Sequence, residues 1–277
     1  AEVAGSVEQL IQAPPGSVSL HPNVTVAQAV ALSCLEFSPG RDRVVCTAED
    51  FPSELYLYEG LARRGAEIVR VPAREGRRID EGDVLAAIDE RTALVAVSHV
   101  LFRTSQLLDL TAVLAKAHAV GAISMVDAYQ SVGVVDVDVR ELAPDFLTGG
   151  SIKWLCGGPG TGYLYVNPRV HARLHPALTG WFAHEQPFAF DSGPQRLHAG
   201  ERRFWNGTPC VPAYCAARPG FAITAEIGGE AIRNKSLRLT GRILALADEY
   251  GFPVVSPRED AHRGGTVCLD VPGAEKV

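Results

Sequence analysis

From Val44 onward, short apolar runs alternate with amphipathic stretches. Val44-Val45-Cys46 reads as a buried strand, Ser53 to Arg64 as a helix stopped by Gly65, and Glu67 to Val71 as a second strand. Asp83 to Ile88 follows as a helix, Leu94 to Ser98 as a third strand, and Asp109 to Val120 as a helix with Gly121 just past its end. Ala122 to Val126, Phe146-Leu147 and Gly162 to Val166 predict three more strands. Ahead of this series an amphipathic segment leads to a turn at Pro14-Pro15-Gly16. An alanine-rich run from Val26 to Leu35 then reads as a helix, with Asn23 or Thr25 as its cap and Ser38-Pro39-Gly40 as its break. Apolar strands separated by helices predict an α/β fold, a mostly parallel sheet with helices on both faces. Such a sheet places its ligands outside the carboxyl ends of its strands.

Residues 168 to 220 leave this pattern. Pro168, Pro176, Pro187, Pro194, Pro209, Pro212 and Pro219 alternate with aromatic residues, which predicts long loops over a site or at a subunit boundary. Residues 221 to 249 return to helix, and Gly251 to Val255 and Thr266 to Leu269 predict two further strands. The expected division is a large domain over 1–220, then a linking helix and the start of a smaller α+β domain over 221–277.

Composition narrows the function. Hydrophobic residues are 47% of the 277 and charged residues 21%, a globular balance that excludes general disorder. A net charge of −6 argues against a nucleic-acid partner. No apolar run is long enough to span a membrane. The first sixteen residues lack the basic segment and apolar core of a signal peptide. Six cysteines without paired spacing and eight scattered histidines predict neither a disulfide framework nor a metal site, and point to a reducing, cytoplasmic setting.

Two residues stand where the sheet would place chemistry. Asp127 ends the strand before it, at the carboxyl edge; alone, it reads equally as a turn cap. Lys153 follows the strand around Asp145 to Leu147, between apolar Ile152 and Trp154; alone, it reads as a surface residue with a buried stem. Together they face one crevice. An aldehyde cofactor needs a lysine for its covalent attachment and an acid for its pyridine nitrogen. A phosphate on that cofactor needs amides and hydroxyls, which Asn23, Thr25 and Ser151 offer. His99, just after the third long strand, is expected to face the same crevice or to pack as a hydrogen-bonded histidine. Cys156 reads as structural. Gly157 to Gly162 is interrupted by Pro159 and fits no nucleotide-binding loop; a tight turn behind Lys153 is its expected job.

The stretches Asp127-Ala128-Tyr129-Gln130 and Asp145 to Val166 resemble the core of the class V pyridoxal-phosphate enzymes, of the aspartate-aminotransferase-like fold type I. The resemblance implies pyridoxal 5'-phosphate as cofactor, Lys153 as its covalent anchor and later proton carrier, and Asp127 as the partner of its ring nitrogen. The kynureninase branch is the most similar. Phe51-Pro52-Ser53-Glu54 matches a segment whose phenylalanine stacks on the cofactor, with Glu54 in place of an aspartate. Asn23-Val24-Thr25 matches part of the phosphate cup, and Gly180-Trp181-Phe182-Ala183-His184 matches a segment at the substrate mouth.

Departures bear on the reaction. Ile152 stands where kynureninases carry a tyrosine, Gln130 where they carry a histidine, and Thr208 where they carry an asparagine. Gln130, Ile152 and Thr208 agree better with class V aminotransferases or β-eliminating enzymes such as cysteine desulfurases. Three readings therefore stand. The first is hydrolytic cleavage of the Cβ–Cγ bond of kynurenine or a related amino acid. The alternative is transamination or β-elimination, and a catalytically impaired homologue is a third. The resemblance also implies a homodimer sharing its sites, with Thr208 and Trp181 as contributors across the interface. Against that family, an opening strand and most of the smaller domain, with its carboxylate-binding arginine, are expected to be missing.

Overall fold

The computed structural model describes residues 2–274. Seven strands form one sheet: β1 (Val18–His21), β2 (Arg43–Thr47), β3 (Glu67–Val71), β4 (Thr92–Ser98), β5 (Ile123–Asp127), β6 (Phe146–Gly150) and β7 (Gly162–Val166). Their order is β1-β7-β6-β5-β4-β2-β3. The pairings from β3 through β6 are parallel, whereas β7 runs antiparallel to both β6 and β1. The mostly parallel α/β sheet is thus present, with a reversed strand near one edge.

Both faces of the sheet are buried, and the strand period of two divides one apolar run between two cores. Val45, Val95, Val97, Val126, Leu147, Tyr163 and Tyr165 face one core, while Val44, Cys46, Leu94, Ala96, Met125, Phe146 and Leu164 face the other. Helices α1 (Glu2–Leu10), α4 (Glu81–Ala87), α5 (Thr111–Ala119) and the short α6 (Val139–Leu142) contribute to the first core, as does α7 (Val211–Ile227) through Ala217 and Phe221. Helices α2 (Val24–Leu32) and α3 (Pro52–Leu61) contribute to the second. A last long helix, α8 (Gly229–Tyr250), follows Gly228.

The structure departs from the sequence reading in four places. The strand Val18–His21 was not anticipated. Helix α7 starts at Val211, inside the stretch read as loop, and the break before α8 falls at Gly228. Pro212 lies in the first turn of α7, where no intrahelical N–H is needed, and Pro219 lies inside the helix. The two late strands reduce to a single antiparallel bridge between Val254 and Leu269. Strand β6 runs on to Gly150 instead of stopping at Leu147. No helix among the described residues is long and apolar enough to cross a membrane, and those residues hold no cluster of metal-ligating side chains.

The connection from β3 returns to β4 on the far side of β2, so the chain reverses direction across the sheet between β2 and β4. Crevices outside the carboxyl ends of strands at such a reversal are ligand sites by construction.

Candidate active site

A cavity of about 230 Å³ opens there. Ser98 and Val100 reach it from the end of β4, Asp127, Tyr129 and Gln130 from the end of β5, and Ile152 and Lys153 from the segment after β6. Phe51 and Glu54 enter from the start of α3, Val24 from the start of α2, and Phe102 closes the rim. The Phe51 and Phe102 rings meet edge to face at 5.1 Å between centroids.

The register of the sheet brings the polar groups together. Ser98 and Asp127 are cross-strand partners on β4 and β5. Asp127 is only 7% exposed, and burial pushes its carboxyl up to about 6. Its Oδ1 accepts the Tyr129 backbone N–H at 3.1 Å. The second carboxyl is Glu54, which is 2% exposed. Its Oε1 accepts Gln28 Nε2 at 2.8 Å, and its Oε2 faces Ser98 Oγ at 3.4 Å. Burial first, then the charges of Asp127 and Asp50, hold Glu54 well above the usual carboxylate range. The two carboxyls act on each other: the contact with Asp127 raises Glu54 further, and the contact with Glu54 draws Asp127 down. Asp50 itself ties the ends of β2 and β4, accepting Thr47 N at 2.7 Å and Ser98 N at 2.8 Å.

Lys153 stands at the opposite wall. Its amine lies 4.9 Å from the Tyr129 ring centroid and 5.7 Å from that of Phe51. Burial lowers its pKa, while Asp127 and Glu54 pull it back up. The turn behind it is tightly packed. Gly158 and Gly160 take φ of 69° and 95°, and a Cβ on Gly157 would lie 2.9 Å from Phe221 of α7.

The expected site residues fall into two groups. Val24, Phe51, Asp127, Gln130 and Lys153 line the cavity. Asn23 stands beside it as the cap of α2, its Oδ1 accepting Val26 N at 3.0 Å, which leaves the Val24 and Thr25 amides at an open helix start. Thr25, Ser151, Trp181, Thr208 and His99 do not line it. Ser151 Oγ is used inside its own loop, donating to the Gly158 carbonyl. Trp181 lies in a cluster with Phe182, Phe188 and Phe190, and Thr208 is exposed on a loop. His99 turns away because Ser98 and Val100, its neighbours on either side, take the cavity face. Its ring is held neutral by burial, with a pKa of about 4. Reasoning from sequence singled out neither Tyr129 nor Phe102, and treated Glu54 only as a replacement. The signal for Glu54 was three acids, Glu49, Asp50 and Glu54, within seven residues of the end of β2.

This arrangement fits pyridoxal phosphate. A buried carboxyl and a half-buried amine face each other across a slot with aromatic walls. An open helix start lies alongside, and a Cβ on Gly162 would crowd the Val24 amide at 2.8 Å, so β7 and that helix start approach as closely as glycine permits.

Comparison with known proteins agrees with this fold. The chain is 31% identical to a kynureninase of Geobacillus thermodenitrificans over 290 aligned positions, spanning 99% of this chain and 65% of that protein. The chain thus spans somewhat less than two thirds of that relative's length. It superposes on the apo structure of a cysteine desulfurase from Thermococcus onnurineus with a TM-score of 0.86 at 24% identity, covering 98% of this chain and 68% of the other. A structure of C-DES with glycine covalently linked to its pyridoxal-phosphate cofactor gives 0.87 at 19% identity, over 100% and 73%. The aminotransferase class-V profile matches residues 2–276, and the chain belongs to that family.

Proposed function

We propose that this chain forms the cofactor-binding part of a pyridoxal-phosphate enzyme that acts on an amino acid by transamination or β-elimination. The carrying observation is the convergence of Asp127 and Lys153 on one cavity from the ends of adjacent strands. The bound cofactor would supply an electron sink for negative charge developing at the amino-acid α-carbon. Asp127 would hold a proton on the ring nitrogen through a charge-assisted hydrogen bond, with Glu54 in contact with its carboxyl. Phe51 would cover one face of the ring, and Lys153 would hold the cofactor and then move the α-proton. Asn23, Val24 and Thr25 would present the helix start to the phosphate, with Gln130 beside the ring. Ser151, Trp181, Thr208 and His99 would need contacts outside this cavity to take part. For Trp181 and Thr208, a second copy of the chain in a shared-site homodimer is the proposed source.

Ile152 favours this branch, because the residue before the lysine brings an apolar side chain, 54% exposed, and no hydroxyl. Hydrolytic cleavage of kynurenine is the second reading, favoured by the Phe51-Pro52-Ser53-Glu54 segment and the likeness to kynureninases.

The test is borohydride reduction of the pyridoxal-phosphate-loaded protein, followed by peptide mapping. Label is expected on Lys153 and absent from Lys153→Ala. Label on another lysine, or retained in the variant, refutes the assignment. Product analysis with L-kynurenine and with L-cysteine or L-cystine then separates the readings. Alanine plus anthranilate establishes the second, whereas keto acid or sulfur release establishes the first.

A further inference from the structure

We propose that Tyr129 is the positioning residue of the Lys153 amine: its ring is the face on which the protonated amine rests. This rests on Lys153 being the reactive amine of the proposed function.

The geometry is built for it. The Tyr129 centroid lies 4.9 Å from Lys153 Nζ, nearer than Phe51 at 5.7 Å. A cation within about 6 Å of a ring centroid is attracted by the ring quadrupole. The ring reaches this place because Gly150 has no side chain. A Cβ there would lie 2.6 Å from Tyr129 Cε2 and 2.8 Å from Cζ and Oη. One end of the residue is tied by its backbone N–H to Asp127 Oδ1. One tyrosine thereby ties its own start to the acid that ends β5 and lays its ring against the lysine amine.

Asp127 from β5 and Glu54 from α3 are the acidic groups facing the amine. Burial opposes them by favouring the neutral form. The ring of Tyr129 adds attraction for the cation without adding charge. That balance sets the fraction of free amine, the form that attacks a carbonyl.

Lysine occurs at only four positions, Lys116, Lys153, Lys235 and Lys276, so the amine is directly observable. The full chain, labelled with ¹³C-lysine and free of cofactor, is titrated by NMR; Lys153→Ala assigns the signal. Tyr129→Leu keeps bulk and removes the ring. It is expected to lower the Lys153 pKa by about 0.5–1.5 units, a threefold to thirtyfold change. Tyr129→Phe keeps the ring, so the Lys153 pKa should hold. In the unmodified chain the Lys153 side-chain protons should lie upfield of those of Lys116 and Lys235, shielded by the rings. This needs no variant and decides the matter if Tyr129→Leu does not fold. An unchanged pKa in folded Tyr129→Leu, or unshielded Lys153 protons, overturns the proposal. Because no cofactor is added, failure to label Lys153 with pyridoxal phosphate would sink the functional reading while leaving this one intact.

Discussion

Asp127→Asn should make the cofactor-free protein more stable at neutral pH. Asp127 is buried, and its carboxyl is raised from 3.8 to about 6, chiefly by loss of water. A folded-state pKa above the unfolded value means that the native protein binds more protons between those pH values. Stability is then full below pH 4 and falls as pH rises through the window to about 6. At about 1.4 kcal/mol per unit, the ionised Asp127 costs the cofactor-free fold about 3 kcal/mol at pH 7. Asparagine is nearly isosteric and keeps an oxygen for the Tyr129 N–H. Lys153 loses an opposite charge, but its partial exposure lets water cover much of that loss. Urea unfolding at pH 4 and pH 7 is the assay. The unmodified protein should lose about 2–2.5 kcal/mol more than the variant between them, and the variant should be the more stable at pH 7. The same substitution should abolish cofactor-dependent activity, since a neutral amide cannot hold the ring proton. Equal pH slopes in the two proteins would show that Asp127 is not the desolvated acid inferred above. A variant less stable at pH 7 would show that its charge is compensated by something other than the cofactor.

Two more predictions concern packing. In Gly150→Ala the new methyl meets Tyr129 at 2.6 Å, so the ring must leave; cofactor retention on gel filtration should fall at least tenfold while far-ultraviolet circular dichroism stays native. Arg263 is fully buried, with Nη1 donating to the Pro257 carbonyl at 3.1 Å and to the Arg258 carbonyl, and Nε facing Thr240 Oγ1 at 3.3 Å. Arg263→Met strands those acceptors and should cost about 2–4 kcal/mol, read as a lower urea midpoint and faster proteolysis after α8.

The sequence was legible where one physical cause acted alone. Strands β2, β4, β5 and β7 are continuous or nearly continuous apolar runs because they are covered on both faces, and no other element of that length gives the same run. Strand β1 shows no such run. Ser19 and His21 are polar yet buried, joined by a 2.9 Å hydrogen bond, and the strand exists because β7 offers a partner edge 144 residues after Val18 begins it. Gly149 and Gly150 fall outside the strand predicted at Phe146-Leu147 for the same kind of reason. Nothing local says that Tyr163 and Tyr129 fill the space left by the missing side chains and keep the chain extended there.

The candidate site divides along the same line. Asp127 and Lys153 could be located because each follows a strand of a parallel sheet, and topology alone brings such ends together. Ser151, His99, Trp181 and Thr208 could not, since their directions depend on a hydroxyl finding a loop carbonyl, on the parity of one position beyond a strand, and on loops held by aromatic contacts. The least legible feature is the pairing of Glu54 with Asp127. It needs a helix start after β2 and a strand end on β5 to meet across β4, and it appears in the sequence only as an acid three residues after Phe51. Yet that pair determines the electrostatics of the cavity. Two buried carboxyls, both raised by loss of water, stand opposite Lys153, and a cationic ring placed between them and the amine would meet an acid on one side and the amine on the other. On the proposed function, the instability expected of Asp127 in the empty protein is the physical counterpart of affinity for such a ring.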